Sequence, residues 1–218
     1  CIKDTIKNIN IVIGCNIGCS YCYARMNNNR FHTIDDFNKP VFFENKLKML
    51  DKKRHTAYLL TGQSDLSGWN EEWKNKVFSK MKENENTQYI FLTKRPENIN
   101  LKETPDNGWF GVTVTSSKEK TRIDYLRNNI KAKHYHITFE PMFDDVGKLD
   151  LSNISWIVIG TETGNRKGKI SSKREWVFNI YNQAKEKNIP VFMKEDLLGI
   201  LNEDEFVQEF PKEFGGIK

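Results

Sequence analysis

Residues 156–164, with the sequence WIVIGTETG, decide the fold class, because a short apolar run ends abruptly in small and polar residues. The run of residues 156–160 is apolar on both faces, which is typical of a strand inside a parallel sheet covered on both sides. Six other short runs share this character, at residues 11–14, 57–61, 89–93, 110–115, 135–140 and 191–194. The sequence therefore predicts seven buried strands.

Amphipathic segments separate several of these strands. Residues 71–82 and 173–188 repeat apolar side chains at helical spacing, so both are predicted to be helices. Ser171 and Ser172 are candidate caps of the second helix, and Pro190 follows its predicted end. Strands and helices that alternate in this way form right-handed βαβ units.

The predicted fold is α/β, an incomplete parallel (β/α)6-type, TIM-like barrel. The chain of 218 residues is shorter than the ~250 residues of a closed eightfold barrel, and an open doubly wound sheet is the alternative. A single domain is predicted over residues 1–218, with the barrel core at about residues 10–195. A C-terminal helical segment is predicted at about residues 196–218, with its helix at residues 202–214.

Composition excludes several classes of protein. Aromatic residues make up 12% of the chain, too many for a disordered segment, and no run approaches the ~18 apolar residues of a membrane span. The net charge of +5 is mild, so a solvated lysine-rich surface is expected and a nucleic-acid partner is not. No secretory signal is visible, so a cytoplasmic protein without a membrane partner is expected. A chain that opens with Cys1 is expected to have lost its true start.

Polar clusters follow six of the predicted strands. In parallel α/β folds the carboxyl ends of the strands face the ligand, so these clusters are expected to converge on one rim. They are Thr61-Gly62-Gln63-Ser64-Asp65, Thr93-Lys94-Arg95, residues 113–116, Glu140-Pro141-Met142, Thr161-Glu162-Thr163-Gly164 and Lys194-Glu195-Asp196.

Three of the four cysteines, Cys15, Cys19 and Cys22, fall within eight residues in a C-x3-C-x2-C pattern. Three clustered thiols cannot all pair with one another, so a reducing compartment and a metal site fit better than a disulfide framework. Three thiolates can hold three irons of a [4Fe–4S] cluster and leave the fourth iron open. The alternatives are a zinc site, with His32 as the fourth ligand, and buried free thiols.

At these residues the chain resembles the radical S-adenosylmethionine (SAM) superfamily, whose signature is C-x3-C-x-aromatic-C, with Tyr21 here as the aromatic. The resemblance implies that Cys15, Cys19 and Cys22 hold a [4Fe–4S] cluster whose open iron chelates SAM. One electron from a flavodoxin- or ferredoxin-type reductant then cleaves SAM to methionine and a 5′-deoxyadenosyl radical, which abstracts hydrogen from the substrate.

The same resemblance implies the SAM contacts. The superfamily places a GGE-like segment at the end of its second strand, and this chain departs from it, with one glycine and no glutamate there. The implied cofactor-binding residues are Tyr21, Thr61, Gly62, Gln63, Ser64, Thr113 and Thr115.

A second, longer resemblance is to phage-type radical SAM-like proteins. It is carried by residues 92–96, 109–112, 139–141, 156–164 and 190–194, although the spacing of the first two cysteines is shorter than is usual there. This resemblance implies salvage of 7-deazaguanines, and specifically a lyase that cleaves a C–N bond of queuine to release 7-aminomethyl-7-deazaguanine.

Queuine chemistry suggests roles for rim residues. Glu140 and Glu162 are the predicted catalytic residues, and the predicted substrate-binding residues are Asn16, Asp65, Lys94, Phe139 and Glu195. Three of these residues have an alternative role: Glu140 as the ion-pair partner of a basic residue, Glu162 as a helix cap, and Asp65 as a structural turn residue.

Two other functions stay open. The cysteine loop also resembles that of spore photoproduct lyases, which implies radical repair or modification of a DNA or tRNA base. The basic residues Lys167, Lys169, Lys173 and Arg174 would then lead a nucleic acid to the rim. The second alternative is a non-enzymatic binding module stabilised by a metal.

Overall fold

The computed structural model describes residues 2–51 and 57–214. Its strands are β1 (Ile6–Asn8), β2 (Val12–Ile13), β3 (Val41–Phe42), β4 (Ala57–Leu59), β5 (Gln88–Thr93), β6 (Gly108–Thr113), β7 (His134–Phe139), β8 (Ile154–Ile159) and β9 (Val191–Met193). Its α-helices are α1 (Ile2–Thr5), α2 (Tyr23–Phe31), α3 (Glu71–Glu83), α4 (Thr121–Asn129) and α5 (Arg174–Glu186). None of the helices in this described part is long and apolar enough to cross a membrane.

Seven parallel strands form the main sheet, in the order β1-β4-β5-β6-β7-β8-β9. Each new strand adds to the same side of the previous one, so right-handed crossovers put all the connections on one face of the sheet. A doubly wound sheet reverses its strand order, so that alternative is wrong. The sheet curls into an incomplete TIM-like barrel, as predicted.

Each face of the sheet buries its own apolar layer. The helix-facing layer includes Val77, Phe78, Met81, Ile123, Leu126, Val177 and Ile180 from α3, α4 and α5. The concave layer is aromatic, with Trp109, Trp156 and Phe192 packed together. Phe214 contacts both tryptophan rings, at centroid distances of 4.8 and 5.2 Å, so the C-terminal segment fills the barrel interior.

The first strand of the sheet differs from the prediction. Residues 11–14 were expected to form it, but β1 takes that place and β2 pairs antiparallel with β3. An apolar run that is buried on both faces shows that a strand is covered, but it does not show which strand it pairs with. The amide of Gly14 nevertheless donates to the carbonyl of Gln63 at 3.0 Å, so the cysteines still begin beside the end of β4.

The helices α3 and α5 confirm the two helix predictions, but the N-cap of α5 differs from the predicted one. Lys173 is the N-cap residue of α5, and neither predicted serine caps it. The Ser172 hydroxyl instead donates a hydrogen bond to Oγ1 of Thr161 at 3.0 Å, which connects the loop after β8 to the segment before α5.

The predicted helix at residues 202–214 is also wrong. Short 3-10 turns occur at Glu203–Glu205 and Lys212–Phe214, and the chain between them runs antiparallel to β9. The amides of Met193 and Glu209 donate to the carbonyls of Val207 and Val191, both at 2.8 Å. This pairing satisfies the free edge of the sheet, which outweighs the local helical pattern.

Candidate functional site

The cysteine loop begins where β2 ends, and the fold fixes both of its ends. Gly14 has φ +114°, and a Cβ there would lie 2.8 Å from Cα of Pro40, so the entry requires glycine. Arg25 donates to the carbonyl of Cys15 at 2.8 Å. At the exit, Sγ of Cys22 accepts from the Arg25 amide at 3.4 Å and caps α2. The loop is therefore a fixed platform rather than a free connection.

Three free thiols lie on this platform, all half-buried. Burial raises the pKa of Cys15, the amide of Ile17 opposes that rise, and the charges of Asp65, Cys19 and Cys22 add to it. A cation bound at this loop would stabilise the Cys15 thiolate that these surroundings disfavour.

The cysteine loop offers thiolates, the donors of an iron–sulfur cluster, and the described residues form no site for a single metal ion. Within residues 2–51 and 57–214, no three His, Cys, Asp or Glu side chains converge as ligands of one ion. His32, the proposed fourth zinc ligand, is the exposed C-cap of α2 and does not join the cysteines in such a group. A [4Fe–4S] cluster binds each thiolate at a different iron, so its ligands need not meet at one point.

The segment after β4 is bound to the cysteine loop. The Tyr23 hydroxyl donates to the carbonyl of Gly62 at 2.5 Å, beside the bond from Gly14 to Gln63. Ser64 accepts from the indole of Trp69 at 3.0 Å. The predicted cofactor segment therefore lies against both ends of the cysteine loop.

Asp65 organises this part of the rim. One carboxylate oxygen accepts from the Thr93 hydroxyl at 2.6 Å and from Ser67, and the other accepts from the Lys94 amide at 2.8 Å. The side chain is buried and caps a short 3-10 turn. Thr61 makes a similar link, because its hydroxyl accepts from the Leu92 amide at 2.7 Å. Substrate binding by Asp65 stays a prediction beside this structural role.

Tyr21 faces an aromatic and a cation. Its ring meets Phe143 edge-on at 5.4 Å, and Nζ of Lys94 lies 5.8 Å from its centroid. Burial, followed by the charge of Cys19, raises the pKa of Tyr21 well above its ordinary value. The Tyr21 hydroxyl therefore stays neutral, and the ring offers a half-buried apolar surface beside the thiols.

The end of β6 adds two further groups. Thr113 is buried on the concave side of the sheet, beside Thr138. Thr115 donates its hydroxyl and its amide to Glu119, at 2.8 and 2.7 Å, and Arg122 pairs with the same carboxylate at 2.9 Å. Of the three threonines predicted to contact SAM, Thr115 is thus already held by a protein carboxylate.

Glu140 forms an ion pair with Lys194 across the rim, in agreement with the alternative role for Glu140. Asp196 lies 3.9 Å from the same ammonium. Burial lowers the pKa of Lys194, but the charges of Glu140 and Asp196 outweigh it and hold that pKa above its ordinary value. Gly160 lies beneath the pair, where a Cβ would meet Cδ of Lys194 at 3.1 Å.

Glu162 is bound by its own loop. Arg166 approaches both carboxylate oxygens, at 2.5 and 2.8 Å, and the Ile170 amide adds a bond at 3.3 Å. The hydrogen bond from Arg166 lowers the pKa of Glu162. The pair closes the loop after β8, so Glu162 has a structural role there and its catalytic role stays a prediction.

The remaining predicted residues lie in different surroundings. Phe139 is fully buried in the helix-facing layer and belongs to the core. Asn16 is exposed, and its Oδ1 accepts from Arg95 at 3.4 Å. Glu195 accepts from Gln208 at 3.1 Å. Of these three, Asn16 lies beside the cysteines.

A family model described as "Protein of unknown function (DUF5131)" matches residues 1–215. The chain belongs to the DUF5131 family. This DUF5131 chain is also similar to a solved spore photoproduct lyase, a cysteine-to-alanine mutant with dinucleoside spore photoproduct, at a TM-score of 0.48 and 10% identity. That alignment covers 82% of this chain and 60% of the lyase chain. No curated protein matches significantly.

Sequence reasoning missed Tyr23 and Glu119 at the rim of this DUF5131 chain. It placed Lys194 and Asp196 in a rim cluster but gave neither of them a role. Lys194 and Asp196 end the last strand of the sheet, where a parallel barrel gathers functional groups. Tyr23 carried no such signal, because its partner Gly62 is 39 positions away in the sequence and only the folded chain brings the two together. Glu119 pairs with Thr115 and Arg122, which lie within four positions of it.

Proposed function

We propose that this chain is a radical SAM enzyme, in which Cys15, Cys19 and Cys22 would hold a [4Fe–4S] cluster. One observation carries the proposal: three free, neighbouring thiols lie in a C-x3-C-x2-C loop against the carboxyl edge of an incomplete parallel barrel. When bound, a cluster with one open iron supplies a site for SAM and the electron that cleaves it.

The residues around the loop support a SAM site. Gly62 and Gln63 are held against the cysteines through Tyr23 and Gly14, and Gln63 offers an amide oxygen for an ammonium group. Tyr21 and Phe143 form an aromatic corner that suits the adenine ring. The rim thus supplies polar and aromatic groups on the same side as the thiols.

The proposed reaction, a C–N bond cleavage of queuine, draws support from rim carboxylates. A guanine-like edge presents adjacent N–H donors, which a fixed carboxylate accepts. Glu140 is a candidate because about 29% of its side chain is exposed and Lys194 holds it in place. The product of that reaction would be 7-aminomethyl-7-deazaguanine, and queuine is therefore one substrate to assay.

Metal content separates the enzyme from a metal-stabilised binding module. After anaerobic reconstitution, the protein should contain about four iron and four sulfide per chain and absorb visible light. Cys19→Ser and Cys22→Ser should lose most of both, whereas Cys1→Ser is the matched control and should retain them. One zinc per chain without sulfide would overturn the proposal, because zinc does not form such a cluster.

A further inference from the structure

An open cleft of about 470 Å³ lies beside the cysteine loop, between the segments that follow β5 and β6. Lys94, Arg95 and Lys118 line it, with Ile17 of the cysteine loop on one side and Tyr125 of α4 on the other. We call these residues the basic cleft. Its size suits a ligand of nucleotide dimensions rather than a single small ion.

The cations of the basic cleft lack carboxylate partners. They differ in this from the basic side chains that do pair, such as Lys76 with Glu44 and Glu72, Lys80 with Asp51 and Glu83, and Arg127 with Asp124 and Asp150.

Within residues 2–51 and 57–214, by contrast, no salt bridge involves Lys94, Arg95 or Lys118. Arg122 also lines the cleft, but Glu119 neutralises it at 2.9 Å. Glu97 is the one other acid in the lining, so three unpaired cations face one carboxylate.

Two of these cations are held close to the thiols. The Lys94 amide is bound by Asp65, and the Lys94 ammonium lies 5.8 Å from the ring centroid of Tyr21, which immediately precedes Cys22. The guanidinium of Arg95 donates to Asn16, which follows Cys15. An anion in the basic cleft would therefore be a direct neighbour of the cysteine loop.

We propose that the basic cleft binds phosphate groups of a nucleotide or nucleic acid whose base reaches the cysteine-loop rim. Arginine and lysine side chains without internal partners are suited to phosphate oxygens. Tyr125 is 45% exposed and offers a ring on which a base can stack. A free base such as queuine would leave the three cations unused. Phosphate binding in the basic cleft does not depend on the proposed function. Only the statement that the base meets a reacting centre rests on it.

Binding is tested on the reconstituted full chain, without SAM or reductant, by anisotropy of a fluorescent single-stranded DNA decamer. Arg95→Glu with Lys118→Glu should weaken binding roughly tenfold or more at low salt. The slope of log affinity against log salt should fall by about 1.4, at about 0.7 for each lost phosphate contact. Iron content is measured on each variant, so loss of binding is separated from loss of the cluster.

Lys131→Glu with Lys133→Glu is the matched control, because it makes the same charge change just before β7. These two lysines lie at the amino-terminal ends of the strands, opposite the rim. It should leave most of the affinity intact. Competition identifies the source of the phosphate: a nucleoside monophosphate that displaces the decamer indicates a nucleotide, and displacement by oligomers alone indicates a nucleic acid. Equal losses in the two double variants, or no saturable binding, would overturn the inference, whatever the cluster content.

Discussion

The hydroxyl of Tyr23 donates to the carbonyl of Gly62 across 39 positions of the sequence, at 2.5 Å. Tyr23 begins α2 immediately after the third cysteine, and Gly62 lies in the segment after β4. Burial, followed by the charges of Cys22 and Glu140, raises the pKa of Tyr23 to about 12. The hydroxyl therefore keeps its proton at physiological pH and fastens the cysteine loop to the neighbouring segment.

Tyr23→Phe should loosen this connection. Removing one hydrogen bond of this kind costs about 1 kcal/mol of unfolding free energy, and the loop should open more often. We expect the thiols of the metal-free protein to react faster with a thiol reagent, together with a small fall in denaturation midpoint. Tyr181→Phe removes a hydroxyl from α5 and is the control. Unchanged thiol reactivity in Tyr23→Phe would show that the bond does not restrain the loop.

Lys194→Met should destabilise the rim in a pH-dependent way. Burial already raises the pKa of Asp196, and Lys194 is the cation that opposes the rise. Without Lys194 the folded-state pKa of Asp196 rises further above its unfolded value, so stability is lost as pH increases through that range. We expect a loss of about 2 kcal/mol at pH 8 and a smaller loss at pH 4, measured by urea denaturation.

Lys82→Met, on the exposed end of α3, is the control for Lys194→Met and should change stability little at either pH. A destabilisation by Lys194→Met that is larger at pH 4 than at pH 8 would contradict the role given to the ion pair.

His136 should make the fold sensitive to acid. Burial lowers its pKa from 6.5 to about 4, against the hydrogen bond with the carbonyl of Phe91. Between these values the unfolded chain binds a proton that the folded chain does not, so the unfolding free energy falls as pH drops. The full effect is about 3 kcal/mol. His136→Asn should remove this contribution, so the stability difference between wild type and variant should narrow from pH 7.5 to pH 4.5. A stability difference between wild type and His136→Asn that stays constant over this pH range would refute the role given to His136.

Periodicity predicted the elements whose burial repeats over five or more residues, and most of the main sheet follows from it. It failed where tertiary pairing outweighs a local pattern. β1 buries only its first residue and so has no apolar run, and the segment at residues 202–214 pairs with β9 instead of forming a helix. The rim was predictable because parallel strands end together.

The contacts within the rim were not predictable. Glu140 and Lys194 are 54 positions apart, and Lys118 joins Lys94 and Arg95 because β5 and β6 are neighbours. A sequence pattern identifies which residues reach the rim, but it does not identify which of them pair. The burial of Phe139 in the helix-facing layer follows from the register of β7, which a one-residue change would reverse.

The most direct test of the central claim is formation of 5′-deoxyadenosine from SAM by the reconstituted protein, under anaerobic conditions with dithionite. Mass spectrometry should detect 5′-deoxyadenosine with wild type and with Cys1→Ser, and none above background with Cys19→Ser. Adding queuine or the single-stranded decamer should increase the yield if either is a substrate. A protein with a full cluster that forms no 5′-deoxyadenosine under any of these conditions would contradict the account.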